Sequence, residues 1–289
     1  MKLFSPSEVY KIVLTSLRQR EKDGLTNSSI SRDHDVHFYS SVKGKYQVFL
    51  SHLKTGLDSG CFALCIVSGD SIGQIQVAME TFGLNIEPET VKLVTSQQWC
   101  TPEGEFHADR VVEQYRRLID ASLSRGFRGL SVSADVADTF DYLSHNGMVK
   151  DWLIYEQSFG RTCKLPMNAM CAYRTDQVDS RSHALLQLIH AHKNTIPPTS
   201  LNVLDNKELY LNALTETLSN ILGEKATEVI FRYLTKNLEG NSSQIPDEIQ
   251  GVDNALESLL GEASSKIQQL VIQNIHQTIG LNISRTTDS

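Results

Sequence analysis

The residues able to do chemistry gather at a few places in this sequence. Ser68-Gly69-Asp70-Ser71-Ile72-Gly73-Gln74-Ile75 follows an apolar run and opens a helical pattern, where a phosphate loop would stand. A working loop of the form GxxxxGK[ST] supplies glycine amides, a lysine for the terminal phosphates and a hydroxyl for magnesium. Here Gln74 follows Gly73 and Asp70 would repel phosphate. The segment therefore reads as a strand-to-helix turn with a capping Asp or Ser, and nucleotide hydrolysis is not expected from it.

The nine histidines raise the question of a metal. His183, His190 and His192 share a helical stretch, but their spacing does not make an i, i+4 chelate, so they read as helix-surface or linker contacts. His34 and His37 flank a strand start and face one side only if the strand is irregular, so they read as polar residues at a strand edge. Cysteines 61, 65, 100, 163 and 171 are odd in number, and Cys61 and Cys65 stand in a strand-like run instead of a CxxC pair. They read as reduced, mostly buried thiols. With no GxSxG elbow and no zinc spacing, the sequence offers no catalytic residue and no metal site, and it names no cofactor.

Composition narrows the function classes. The chain has 289 residues, 40% hydrophobic and 21% charged, which suits two folded domains. A formal charge of -7 with scattered Lys and Arg disfavours direct nucleic-acid binding. The longest apolar stretch, Cys61 to Ser68, is too short to cross a bilayer, and the N-terminus lacks a basic segment before an apolar signal core. A cytoplasmic protein is expected.

Elements that would position these residues can be read from periodicity. An amphipathic helix is expected over Ser7 to Gln19, and a Ser- and Asn-rich stretch, Gly24 to Asp33, separates it from the first strand. Val36 to Tyr39, Cys61 to Val67, Val91 to Val94, Gly129 to Val132 and Ala169 to Tyr173 read as strands. Lys45 to Leu57, Ser71 to Phe82, Ala108 to Arg125, Val136 to Asn146, Asp151 to Phe159 and Asp179 to His192 read as helices. This alternation predicts an α/β fold with a mostly parallel sheet and flanking helices over 31–193, behind a segment 1–30. Pro197-Pro198 predicts a linker at 194–204.

Beyond it, at 205–284, the pattern is all helical and predicts a small four-helix domain. One stripe joins Leu209, Ala213, Leu214, Leu218, Ile221 and Leu222. A second joins Ala226, Val229, Ile230 and Tyr233; a third, Ala255, Leu256, Leu259 and Leu260; a fourth, Ile267, Leu270, Val271, Asn274 and Ile275. Ile221-Leu222-Gly223-Glu224 and Leu259-Leu260-Gly261-Glu262 each end one helix on a left-handed Gly and reopen the next with Glu.

From His34 to about Val178 the chain resembles the MEDS domain, a sensory domain described for methanogens, methylotrophs and the dichloromethane-responsive regulator. The resemblance rests on an ordered set: His34-Asp35-Val36-His37-Phe38-Tyr39, Gly56-Leu57-Asp58-Ser59-Gly60, Gly126-Phe127-Arg128-Gly129-Leu130, Tyr155-Glu156 and Cys171-Ala172-Tyr173. The chain departs from the family at Ser131, often Arg, and at Asp135, where a Glu often stands nearby. The resemblance implies a RecA-like fold related to KaiC-type ATPases, with ligand sensing as the role. Leu209 to Leu281 resembles a small helical output domain of archaeal signalling proteins, the Nitrosopumilus output domain family, through Leu222-Gly223-Glu224-Lys225-Ala226, Ile245-Pro246 and Leu260-Gly261 among others. That implies an archaeal source.

In an open α/β sheet a ligand sits beyond the carboxyl ends of the strands. Tyr39, Ser68, Thr95, Asp135 and Tyr173 are the candidates there, and the resemblance adds His34, Tyr155 and Glu156. The expected function is non-enzymatic signal transduction, with a small-molecule ligand and a protein partner or second copy of the chain. Two alternatives are carried with it: a nucleotide-binding RecA/KaiC-like switch or ATPase, and a transcriptional regulator acting through a protein partner.

Overall fold

The computed structural model describes residues 33–68, 72–84, 87–162, 165–178, 183–198, 203–238 and 249–281. The expected helix over Ser7 to Gln19, the turn at Gly69 to Ser71, the start of the helix expected from Asp179, and Ile245-Pro246 lie outside them. The chain divides into two compact units, one of Ile30–Asn206 with His276–Ser289 and the other containing Lys207–Ile275.

The first unit is a seven-stranded sheet in the order β3-β2-β4-β5-β1-β6-β7. Its strands are β1 (His34–Tyr39), β2 (Phe62–Val67), β3 (Val91–Thr95), β4 (Leu130–Asp135), β5 (Met167–Arg174), β6 (Asn194–Ile196) and β7 (Leu204–Asp205). All pairings are parallel except β6 with β7. Between the strands run α1 (Val42–Asp58), α2 (Ile72–Thr81), α3 (Ser96–Cys100), α4 (Ala108–Ser124), α5 (Ala137–His145), α6 (Val149–Thr162) and α7 (His183–Ala191). Parallel neighbours need such crossovers, and the helices bury both sheet faces, which is why every residue of β2 and β4 is buried.

On one face Val48, Phe49, Leu50 and Leu53 of α1, with Ile75 and Met79 of α2, pack on Ala63, Cys65, Val67, Met170 and Ala172. On the other, Tyr115 of α4 and Trp152, Tyr155 and Phe159 of α6 meet Ile66, Val132, Ala134 and Cys171. Helix α1 lies close on β4 because both contact surfaces are small. A Cβ at Gly56 would overlap the Cβ and Oγ of Ser131. Ser131 is thus part of the helix-to-sheet seam.

Residues 194–204, expected to be a linker, belong partly to the sheet. Asn194 to Ile196 pair with β1 before the two prolines remove backbone donors, and the chain then returns antiparallel at Leu204. Buried Asn206 fastens this return: its Oδ1 accepts from Thr195 Oγ at 2.5 Å and its Nδ2 donates to the Ile189 and His192 carbonyls, each at 3.0 Å.

After β7 the described residues form α8 (Asn206–Leu222), α9 (Glu224–Leu238), α10 (Ile249–Leu260) and α11 (Ala263–Thr278). Gly223 and Gly261 take left-handed φ values of 79° and 55° at the two turns, as their sequence context requires. Buried Tyr210 donates its hydroxyl to buried Asp253, tying α8 to α10, and Asn274 reaches Glu216 at 2.9 Å, tying α11 to α8. The stripes differ in part from expectation. Thr227, Ile230 and Leu234 are the buried face of α9, which turns Val229 outward to 65% exposure; Tyr233, Ile221 and Leu222 are exposed too. Spacing of three then four residues from Thr227 defines that face, and Val229 falls off it.

Replacing Gly56 by Ala tests the seam. Alanine is the better helix former by about 1 kcal/mol, yet overlap with Ser131 makes a net destabilisation of about 2 kcal/mol the expected outcome in urea unfolding. Adding Ser131→Gly should recover a good part of it. Equal stability of Gly56→Ala and the parent would show that α1 does not sit this close.

Candidate functional site

Side chains alternate faces along a strand, so the parallel register of β1 with β5 sends His34, Val36 and Phe38 to one face with Ala169, Cys171 and Tyr173. His37 and Tyr39 go to the other. The candidate residues accordingly divide between two buried polar centres.

The first centre surrounds Asp135, the last residue of β4, which has no solvent exposure. Its carboxylate pairs with the ammonium of buried Lys45 on α1. It also accepts from Tyr39 Oη at 3.0 Å, Ser68 Oγ at 2.9 Å and the Ala137 amide at 3.3 Å. Lys45 Nζ lies 5.0 and 5.3 Å from the ring centroids of Tyr39 and Tyr46, so its charge also faces two aromatic rings. Burial, followed by the Asp135 charge, pushes the Tyr39 phenol far above its usual range, leaving it a permanent donor. Nearby, His37 Nδ1 donates to the Ile196 carbonyl at 3.0 Å, and burial holds this imidazole down to about 4.

Lys45 is not among the residues that sequence reasoning selects, although a signal for it exists. Tyr39-Ser40-Ser41-Val42-Lys43-Gly44-Lys45-Tyr46, directly after β1, keeps the Gly-Lys of GxxxxGK[ST] and loses its first Gly and its final hydroxyl. The donors a phosphate would use are taken. Ser41 Oγ, capping α1, accepts from the Gly44 amide at 3.2 Å, and the Ser41 carbonyl accepts from the Lys45 amide at 3.0 Å.

The second centre, on the opposite face, joins His34 of β1, Cys171 of β5, Glu156 of α6 and His192 just after α7. His34 Nε2 is 3.4 Å from both Cys171 Sγ and Glu156 Oε2, and His192 Nε2 is 3.6 Å from that same oxygen. Glu156 Oε1 accepts from Tyr173 Oη at 3.0 Å, and Tyr173 Oη in turn accepts from Trp152 Nε1 at 2.9 Å. Burial raises the Glu156 carboxyl to about 7, opposed by the Tyr173 bond, and lowers the His192 imidazole to about 4. His34 is lowered by burial and then by His192, while the Cys171 thiol is raised by burial and then by Glu156. His192, expected on a helix surface or as a linker contact, is buried one residue past the end of α7, its Nδ1 donating to the Leu188 carbonyl.

The two remaining candidates stand apart. Thr95 uses its hydroxyl to cap α3, accepting from the Gln98 amide at 3.1 Å. Tyr155 is part of an aromatic wall with Trp152 and Phe159, at centroid distances of 5.3 and 5.6 Å. That wall separates the second centre from a cavity of 760 Å³ lined by residues of α4 and α6, including Arg116 and Asp151.

The first centre can be tested through its ion pair and through its histidine. Lys45→Met should destabilise the protein by about 3–5 kcal/mol by stranding a buried carboxylate, whereas Lys45→Met with Asp135→Asn should recover most of that loss. Urea unfolding followed by fluorescence of Trp99 and Trp152 reads both. For the histidine the readout is pH. With His37 near 6.5 unfolded and about 4 folded, its contribution is constant above pH 6.5 and falls as pH drops from 6.5 to about 4, where the unfolded chain binds more protons. The full loss is about 3 kcal/mol. His37→Gln, which keeps a donor for Ile196, should flatten that limb; an unchanged slope would assign the acid sensitivity to other groups.

Among the described residues no helix is long and apolar enough to cross a membrane. No curated protein matches the chain. The model of the methanogen/methylotroph, DcmR sensory domain matches residues 33–193, more than half of the sequence and the whole span from β1 to the end of α7. With both polar centres inside the matched span, the chain belongs to the MEDS sensory-domain family.

Proposed function

We propose that this chain is a non-enzymatic signal-transduction protein. Its α/β unit receives a ligand or ion, and the helices after Asn206 relay the change to a protein partner. Family membership supports the sensory role. The observation that carries the non-enzymatic part is the closure of Lys45 on Asp135. A phosphate-loop lysine must be free to meet terminal phosphates, and here its charge is already neutralised in a buried pair. Tyr46 replaces the magnesium-binding hydroxyl, and Ser41 occupies the Gly44 amide.

The RecA/KaiC-like ancestry is supported by the parallel sheet with β1 inside it, between β5 and β6, followed at once by Gly44-Lys45 and α1. The same observation favours a nucleotide switch as the second reading. For that reading, ATP would have to break the Lys45–Asp135 pair and displace the Ser41 cap, both at energetic cost. The four helices α8 to α11 are assigned as the output half, in line with the resemblance to archaeal output domains. The formal charge of -7 supports a protein target over nucleic acid.

Purified full-length protein should neither turn over ATP nor show magnesium-dependent ATP binding by calorimetry. Turnover that survives repurification and vanishes in the Lys45→Met/Asp135→Asn variant would establish the nucleotide reading instead.

A further inference from the structure

We propose that His34, His192, Glu156 and Cys171 form a closed binding site for a divalent cation of the zinc class, independently of what the sensory unit reports. Four side chains from four different elements converge, and their ligand atoms all lie within 4.8 Å of one another. Tetrahedral zinc, with bonds of about 2.0–2.3 Å, places neighbouring donors about 3.3–3.7 Å apart. The measured separations, 3.4 Å for His34 to Cys171, 3.4 Å for His34 to Glu156 and 3.6 Å for His192 to Glu156, are edges of such a figure.

The supporting bonds leave the right atoms free. His192 Nδ1 donates to the Leu188 carbonyl at 2.7 Å, which fixes the tautomer and leaves the Nε2 lone pair facing the cluster. Tyr173, itself held by Trp152, takes Glu156 Oε1 and leaves Oε2 inward. Glu156 Oε2 and His192 Nε2 are fully buried and have no hydrogen-bond partner. Orphaned polar atoms of this kind are costly, and a shared cation satisfies both. Thiolate and carboxylate together carry two negative charges, so a divalent ion makes the buried site neutral.

The donor set selects among cations. Two imidazoles and a thiolate suit zinc and its transition-metal neighbours, whereas calcium and magnesium require a shell of oxygens. Tyr155 and Phe159 line both this centre and the 760 Å³ cavity beside it.

Cobalt(II) is the probe, added to the metal-stripped full chain under reducing conditions. One equivalent should bind, with visible bands of tetrahedral intensity and a near-ultraviolet cobalt–thiolate band, and zinc should displace it while magnesium and calcium do not. Cys171→Ser should abolish the thiolate band, Cys61→Ser should retain it, and Tyr173→Phe should weaken affinity about 10–100-fold. X-ray absorption of the zinc-loaded parent gives a readout that needs no variant: a shell of one sulfur and three nitrogen or oxygen atoms is expected. Folded parent protein that binds no cobalt or zinc, a thiolate band that survives Cys171→Ser, or a sulfur-free shell would each overturn the assignment.

Discussion

A carboxylate without access to water must be met by donors from the protein, and Asp135 imposes that demand at the middle of the sheet. Its four partners come from the ends of β1 and β2, the first turns of α1 and the start of α5. Each contact fixes where one segment leaves the sheet. Lys45 reaches Asp135 because α1 begins soon after β1, capped by Ser41, and because Gly56 and Ser131 let the same helix lie flat on β4. Replacing the pair by apolar groups of similar shape would cost little, but removing one member strands the other.

That constraint also gives the fold its functional direction. In a phosphate-binding sheet the lysine after the first strand is held ready for an outside anion; here an inside anion holds it. The result is a buried ion pair on one face, while Glu156 Oε2 and His192 Nε2, two buried atoms without a hydrogen-bond partner, lie on the other. β1 serves both centres, since Tyr39 and His34 face opposite sides of the same strand.

Much of this was legible in the sequence and some was not, for physical reasons. Long apolar runs such as Phe62 to Val67 announce themselves, because a strand buried on both faces has no polar alternation. β6 is three residues long and ends at two prolines, so its pairing is decided by β1 and by Asn206, which no local pattern reveals. Tyr39, Ser68 and Asp135 could be placed together as strand ends, but Lys45 lies in a helix, where lysine usually means surface. His192 was hidden likewise, one residue past the end of α7 and buried by contacts remote in sequence. His34, Cys171 and Glu156 are far apart in sequence, and their meeting depends on register and on the packing of α6.

His192 links the second centre to the rest of the unit. Its ring faces Glu156 and His34, while its main-chain carbonyl accepts from Asn206, the first residue of α8. Asn206 also holds Thr195 of β6 and the Ile189 carbonyl of α7. A ligand that draws the His192 ring toward Glu156 acts on the residue whose backbone anchors the chain leaving the sheet. Transmission requires that the bound and free arrangements of this anchor differ in energy, since a ligand shifts an equilibrium only by its differential affinity for the two states. Because Asn206 is buried and uses both ends of its side chain, a displaced His192 carbonyl leaves an unpaired donor. Such a loss is worth about 1–3 kcal/mol, enough to separate two populations by one or two orders of magnitude.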